Sequence, residues 1–158
     1  MFLNKQTVAN KLNKPIEEIT VGFTCSTWDL FHAGHIVMLQ EAKSLCDYLI
    51  VGLLIDPTVD RPDSKNKPIQ STFERYVQVS SCRYVDEVIP FNTEQEIIDM
   101  ILTINPDIRI VGEEYKDKEH TGKGLCPIHY NKRRHSFSSS DLRERVSNPS
   151  KTSKTKNK

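Results

Sequence analysis

Two histidines, His32 and His35, stand three residues apart in the segment TWDLFHAGH, with only Ala33 and Gly34 between them. The segment follows an apolar run and precedes a helical pattern, so both histidines lie where a helix is predicted to begin. A helix N-terminus has unpaired N–H groups and the positive end of the helix dipole, which favour an anion. Small residues at 33 and 34 let a phosphate approach the backbone, and an imidazole can donate to its oxygens. The segment therefore predicts a phosphate site.

Two other interpretations of this histidine pair stay open from the residues alone. Histidines at positions i and i+3 can bind zinc, but no third and fourth ligand stands at a helpful spacing. They can also be purely structural side chains. The position between a strand and a helix, in the first crossover of the chain, favours the phosphate site over both.

The elements that position the histidines follow an alternating pattern. Residues 19–26 and 48–55 are predicted to be strands, the second apolar throughout, and residues 34–46 between them form a helical pattern with a spaced apolar face. Strands are also predicted at 85–90, 107–111 and 128–131. Three later helices begin with a capping signature, a hydroxyl residue followed three positions on by an acidic one: Ser71 with Glu74, Thr93 with Glu96, and Ser138 with Asp141.

This alternation predicts an α/β fold of the doubly wound, Rossmann-like class. The sheet would have five mostly parallel strands, with right-handed crossovers and helices on both faces. Such sheets bind ligands beyond the carboxyl ends of their strands. The loop that holds the two histidines is in such a position.

The composition is that of one globular domain. The chain has 158 residues, of which 37% are hydrophobic and 27% charged. The longest apolar run is too short to cross a bilayer and no secretory signal stands at the N-terminus, so we expect a cytoplasmic protein without a membrane partner. The four cysteines form no Cys-x-x-Cys pair, which indicates free thiols.

Three regions are predicted along the chain. Residues 1–18 form a helical lead-in, residues 19–146 the main domain, and residues 147–158 a basic, disordered tail. The lead-in could be a small helix-turn-helix, but two short helices without a third argue against a DNA-reading role. The net charge of +1 includes four tail lysines, so the main domain has no evident basic face and no nucleic-acid partner is expected.

Several segments together resemble the nucleotidyltransferase superfamily with the His-x-Gly-His motif, and especially its cytidylyltransferase-like family. STWDLFHAGH is similar to the signature that follows the family's first strand. AKSLCDYLIVGL, ERYVQVSSCRYVDEVIP, VGEEY and SSSDLRERV resemble the family's later elements and occur in the same order. The resemblance implies transfer of CMP from CTP to a small phosphorylated alcohol such as glycerol 3-phosphate, with release of pyrophosphate.

The resemblance also implies roles for individual residues. The catalytic set is His32, His35, Lys67 and Arg133. The nucleotide-binding set is Thr27, Trp28, Asp29, Gly34, Glu113, Tyr115, Ser138 and Ser139. The acceptor-binding set is Arg75 and Lys65. A Mg²⁺ ion held chiefly by the triphosphate is implied, and no protein ligand is assigned to it.

Departures from the family pattern leave alternatives open. Ser26 and Ser136 stand where the family usually has glycine. In GEEYKDKEHTGKG, a Tyr-Lys pair followed by a glycine resembles the ATP-using heptose-phosphate branch. An ATP-dependent adenylyltransferase acting on a sugar phosphate is therefore an alternative, and a non-catalytic nucleotide-binding module is a second. The acceptor and the oligomeric state stay undetermined, although relatives are commonly homodimers.

Overall fold

The computed structural model describes residues 3–149, in which five strands form one sheet. The strands are β1 (Val21–Ser26), β2 (Tyr48–Leu54), β3 (Glu87–Phe91), β4 (Ile108–Gly112) and β5 (Ile128–Asn131). The helices are α1 (Lys5–Leu12), α2 (Ala33–Ser44), α3 (Thr72–Ser80), α4 (Glu94–Ile104) and α5 (Ser139–Ser147), with short 3₁₀ turns at Ile16–Glu18 and Glu113–Tyr115. The strand order is β3-β2-β1-β4-β5 and every pairing is parallel. The predicted fold class is confirmed.

Side-chain caps begin three of the helices where the sequence predicts them. The hydroxyls of Ser71, Thr93 and Ser138 each accept from the backbone N–H three residues on, at distances of 3.0 to 3.3 Å. Helix α2 begins one residue earlier than predicted, because the imidazole of His32 is itself the cap and accepts from the N–H of Gly34. Ser, Thr, Asp and Asn are the usual N-cap residues. A histidine cap is therefore not predicted from the sequence.

The sheet is packed on both faces. Helices α1 and α4 cover one face through residues such as Val8 and Ile101, whereas α2 and α3 cover the other through residues such as Leu39 and Val79. Val8 and Ala9 of α1 are buried against the sheet, whereas most of residues 10–18 are exposed. The predicted boundary between a lead-in and the main domain at residue 18 stays a prediction. The predicted disordered tail falls on residues 150–158, outside the described residues, except for its first three positions.

The connections place a topological switch point beside β1. The chain passes from β1 to β2 and β3 on one side and then returns to β4 on the other side of β1. Ligand crevices form at such points, beyond the carboxyl ends of the strands. Because α2 and α4 cover opposite faces, their N-termini flank this point from opposite sides. Within residues 3–149, no helix is long and apolar enough to cross a membrane.

Candidate functional site

A cleft of about 650 Å³ opens at the switch point between β1 and β4. The carboxyl ends of these two strands, residues 24–26 and 109–112, form its floor. The first residues of α2, α4 and α5 line its walls, so three helix N-termini face one space. Unpaired N–H groups and helix dipoles at these termini give the cleft a potential that favours anions.

Reciprocal hydrogen bonds hold His32 and His35 at the N-terminus of α2. The N–H of Gly34 donates to Nδ1 of His32 at 3.0 Å, and the N–H of His32 donates to Nδ1 of His35 at 3.3 Å. The two rings stack with their centroids 3.9 Å apart. A ring nitrogen that accepts is unprotonated, so each neutral ring carries its proton on Nε2. Both rings line the cleft and keep that Nε2–H as a donor.

Burial keeps both imidazoles neutral. It is the main reason that the pKa of His35 falls to about 3, and the neighbouring His32 lowers the pKa further. Burial also lowers the pKa of His32, together with the charges of His135 and Arg133. At neutral pH the two rings therefore act on an anion as hydrogen-bond donors, and the positive potential comes from the helix termini and the arginines.

Imidazole rings enclose Gly34 on two sides. A Cβ atom at this position would lie 2.8 Å from Cε1 of both His32 and His135, closer than real Cβ contacts. A larger residue here would therefore displace the imidazoles of His32 and His135. His135 stacks on Phe137 with ring centroids 5.0 Å apart, and its Nδ1 is buried without a hydrogen-bond partner. His135 is missing from the predicted site, although it stands three residues before the predicted cap Ser138.

The loop between β1 and α2 has an unusual backbone. Trp28 and Leu30 have φ angles of 56° and 50°, in the left-handed region that residues other than glycine rarely adopt. Trp28 is fully buried and donates from Nε1 to the carbonyl of Gly52 at 2.9 Å. Neither Trp28 nor Thr27 lines the cleft, and both hold the loop, since the carbonyl of Thr27 accepts from Arg75 at 2.9 Å. The nucleotide contacts assigned to them stay predictions.

Asp29, another predicted nucleotide contact, ties this loop to two other segments. Its buried carboxylate accepts from the N–H groups of Ile69 and Gln70 at 2.9 and 3.0 Å, and from the guanidinium of Arg143 at 2.7 Å. Its carbonyl accepts from the hydroxyl of Ser139 at 2.9 Å. Burial opposes ionisation, but these hydrogen bonds and the Arg143 charge outweigh it and hold the pKa of Asp29 below its usual value. Asp29 thus holds the loop in place, and the nucleotide contact assigned to it stays a prediction.

Arg75, to which the resemblance assigns acceptor binding, is engaged with the backbone, and its acceptor role stays a prediction. Its side chain is buried, with 2% exposed, and it does not line the cleft. The guanidinium donates to the carbonyl oxygens of Thr27, Leu54, Ile55 and Gln70 at 2.7 to 3.1 Å. Since its donors are used by the backbone, Arg75 fixes the ends of β1 and β2 and the start of α3.

Three predicted phosphate-binding residues lie together at the N-terminus of α5. Ser138 caps the helix, Ser139 follows it, and Arg133 donates to the carbonyl of Phe137 at 2.6 Å. All three line the cleft that also contains His32. The structure therefore brings residues from the two ends of the chain to one anion-favouring space.

Other predicted residues lie outside the cleft. Lys65 and Lys67 are exposed in the loop between β2 and α3, where 79% of the Lys67 side chain is accessible. Glu113 is exposed as well, but the next two residues, Glu114 and Tyr115, line the cleft. The roles given to Lys65, Lys67 and Glu113 stay predictions.

Several residues that line the cleft are absent from the predicted set. They are Arg61, Glu94, Arg109, Thr121 and Asn131. Arg109 had a visible signal, because it is a charged residue inside the apolar strand segment DIRIV. Asn131 ends β5, and its side-chain amide nitrogen is buried without a partner.

The cleft provides no preformed metal site. Among residues 3–149, no group of three or more His, Cys, Asp or Glu side chains could hold a metal ion. Mg²⁺ prefers oxygen ligands and often binds through substrate phosphates.

Comparison with known proteins identifies related sequences. The family model described as Cytidylyltransferase-like matches residues 23–145. Among curated proteins, the bifunctional protein HldE of Campylobacter jejuni is 36% identical over 122 residues, which are 77% of this chain and 26% of that protein. The HldE protein of Nitratiruptor sp. is 38% identical over 125 residues, 79% of this chain and 26% of that protein. The chain thus spans about a quarter of the length of these relatives.

Solved structures with the same fold are more distant in sequence. A lipopolysaccharide core biosynthesis protein from Thermoplasma volcanium is 23% identical, with a TM-score of 0.53 over 84% of this chain and 89% of that chain. A pantoate-beta-alanine ligase from Francisella tularensis is 16% identical, with a TM-score of 0.55 over 89% of this chain and 74% of that chain. These likenesses support the fold alone.

Proposed function

The chain belongs to the cytidylyltransferase-like family of nucleotidyltransferases, and from this premise we propose that it transfers AMP from ATP to a sugar phosphate and releases pyrophosphate. The HldE relatives support the ATP-using, heptose-phosphate alternative better than the CTP-dependent transfer to glycerol 3-phosphate that the sequence first favours. The second candidate remains CMP transfer, which the description of the family model favours.

The convergence of three helix N-termini and the side chains of His32, His35 and His135 on one cleft carries the proposal of nucleotidyl transfer. A phosphate oxygen of the acceptor attacks the α-phosphorus, a new P–O bond forms, and the bond to the β-phosphate bridging oxygen breaks. Pyrophosphate leaves with that electron pair. Negative charge develops on the oxygens around the α-phosphorus and on the leaving group, so fixed donors placed there lower the barrier. No covalent nucleophile is required.

Each donor in the cleft has a proposed place in this reaction. The Nε2–H groups of His32 and His35 would donate to oxygens of the α- and β-phosphates. Arg133 and the N-terminus of α5, with Ser138, would hold the β- and γ-phosphates. Tyr115 lines the cleft on the β4 side, where we place the base and ribose. Lys67, with Lys65, would neutralise phosphate charge from the exposed loop after β2.

We expect the nucleotide substrate to bind together with a Mg²⁺ ion. Bound through the phosphate oxygens, a Mg²⁺ ion neutralises part of the triphosphate charge. The protein residues then contribute orientation and hydrogen-bond donors. The Asp29 network holds the histidine loop at the start of α2, and this loop sets the direction of both imidazoles.

A matrix of pyrophosphate-release assays tests the proposal. Each of the four ribonucleoside triphosphates, with Mg²⁺, is combined with heptose 1-phosphate, glycerol 3-phosphate, phosphocholine or phosphoethanolamine. We expect release with ATP and heptose 1-phosphate, and far less in His35→Ala. Release only with CTP and glycerol 3-phosphate would establish the second candidate. Nucleotide binding without release in any combination would leave the non-catalytic module as the function.

A further inference from the structure

Four residues form a polar network at the end of the cleft that lies beside α4. A nitrogen of the Arg61 guanidinium lies 3.0 Å from one carboxylate oxygen of Glu94. The hydroxyl of Thr121 donates to the other carboxylate oxygen, and Arg109 donates to the carbonyl of Thr121. We call these residues, Arg61, Glu94, Arg109 and Thr121, the α4 network. All four line the cleft.

The two arginines of the α4 network have donors that the protein leaves unused. The Nε atoms of both Arg61 and Arg109 are buried and have no hydrogen-bond partner. Arg109 as a whole is only 5% exposed. A buried donor without an acceptor is unfavourable, and an arginine inside a sheet is rare unless something compensates for its burial. These donors therefore point to a ligand with acceptor oxygens.

The charge of the α4 network indicates which kind of ligand oxygen it would bind. The α4 network contains two guanidinium groups and the carboxylate of Glu94, and a second carboxylate, that of Asp60, accepts from the backbone N–H of Glu94 at 2.5 Å. Positive and negative side chains are thus balanced, unlike those at the histidine end of the cleft. A phosphate gains little from such a balanced set, whereas a hydroxyl can accept from a guanidinium and donate to a carboxylate at once.

Position connects the α4 network to the proposed reaction. The histidines lie at the N-terminus of α2 and Glu94 at the N-terminus of α4, and these termini flank the same switch point from opposite faces of the sheet. A phosphorylated sugar placed across the switch point would bring its phosphate toward the histidines and its ring toward α4. On the basis of the proposed function, we infer that the α4 network binds the ring hydroxyls of the acceptor sugar.

Binding measurements on the full chain test this inference. Calorimetry with heptose 1-phosphate, in the presence of a non-hydrolysable ATP analogue, is compared for the wild type, Glu94→Gln, Arg61→Gln and Arg109→Gln. We expect each variant to weaken heptose 1-phosphate binding about ten-fold or more, as for a lost charged hydrogen bond, and analogue binding to change less than about two-fold. Arg83→Gln, an exposed arginine outside the cleft, is the matched control and should change neither.

Glycerol 3-phosphate separates hydroxyl recognition from phosphate recognition, because it has the phosphate without the ring. Its binding should be insensitive to Glu94→Gln. Equal weakening of both acceptors, or of the ATP analogue, would overturn the inference, as would unchanged heptose 1-phosphate binding in every variant or its absence in the wild type.

Two further readouts keep the inference and the proposed function apart. Network-dependent binding of heptose 1-phosphate without pyrophosphate release would support the inference and contradict the proposed function. Because Arg109 is buried, thermal unfolding is measured for each variant, and the partly exposed Glu94 and Arg61 decide the result if Arg109→Gln does not fold.

Discussion

The carboxylate of Asp29 and the guanidinium of Arg143 lie 2.7 Å apart, although 114 residues separate them in the sequence. The pair joins the loop before α2 to the helix α5, and thereby joins two of the three helix N-termini that line the cleft. Only 6% of the Asp29 side chain and 31% of that of Arg143 are exposed. Solvent screens such a pair less than one on the surface.

A double-mutant cycle measures this connection. Asp29→Asn, Arg143→Gln and the double variant are compared with the wild type by urea unfolding. We expect a coupling free energy of about 1–3 kcal/mol, because the single variants leave a buried charge or donor without its partner. The exposed pair Asp141 and Arg145 is the matched control, and its coupling should be below about 0.5 kcal/mol. Equal coupling in the two pairs would show that Asp29 and Arg143 are not a special connection.

Replacing His35 should affect turnover far more than nucleotide binding. His35→Ala removes one Nε2–H donor, and loss of one donor to developing charge typically lowers turnover about 100- to 1000-fold. Nucleotide affinity should change less than about five-fold, since the contact strengthens mainly in the transition state. Steady-state kinetics and calorimetry check this, with His129→Gln, outside the cleft, as control. A parallel fall in turnover and affinity would contradict the assigned role.

The low pKa of His35 predicts how stability depends on pH. The folded ring has a pKa of about 3, below the ordinary value of 6.5 in the unfolded chain. Between pH 7 and pH 5 the unfolded state therefore takes up protons that the folded state does not, and stability falls as pH falls. Urea unfolding should give a slope of up to about 1.4 kcal/mol per pH unit from this ring. His35→Gln should show a smaller slope, and an unchanged slope would disprove the assignment.

Gly34→Ala should separate stability from activity. Alanine is preferred over glycine inside a helix by about 1 kcal/mol, which offsets part of the crowding near the start of α2. The new Cβ would displace the rings of His32 and His135, so we expect turnover to fall about ten-fold or more. Unfolding and kinetic measurements are made together, with Gln40→Ala, at an exposed position of α2 outside the cleft, as control. Full activity in Gly34→Ala would show that the rings tolerate the displacement.

Arg75→Lys tests whether Arg75 positions the backbone or binds the acceptor. Lysine keeps the charge but cannot supply donors in the same planar arrangement, so carbonyls at the ends of β1 and β2 lose their partners. We expect a loss of about 3 kcal/mol in unfolding free energy. Below the new unfolding temperature, the KM for the acceptor should stay within about two-fold. A large rise in that KM with stability unchanged would support the acceptor-binding role instead.

Much of the fold follows from local patterns in the sequence. The strand at residues 128–131 and the caps Ser71, Thr93 and Ser138 appear where predicted, because strand periodicity and capping depend on neighbouring residues. The observed ends of some helices and strands differ from the predicted ends where a side chain that the local pattern does not reveal binds the backbone. Helix α2 begins at a histidine cap, and β1 begins at Val21, whose N–H donates to the distant Asp107.

The candidate site was predictable where a motif and a helix start coincide. His32, His35, Gly34, Arg133 and Ser138 all line the cleft. The roles of the other motif residues could not be predicted from the motif alone. Thr27, Trp28, Asp29 and Arg75 stand in motif positions, yet their side chains or carbonyls take part in holding the loop, because burial and hydrogen-bond partners depend on the whole fold.

The sequence by itself determined the alternating elements and the phosphate-favouring start of α2, since these depend on residues close together in the chain. The parallel sheet followed indirectly, because alternating strands and helices with right-handed crossovers leave few other arrangements. Only the tertiary structure decided which distant residues share the cleft. Strand order brings β4 beside β1, and this pairing places Arg109, Glu94 and Arg61 opposite the histidines. Which residues lie close together across a sheet depends on strand order and on the direction of each side chain. Neither can be read from the spacing of residues along the chain.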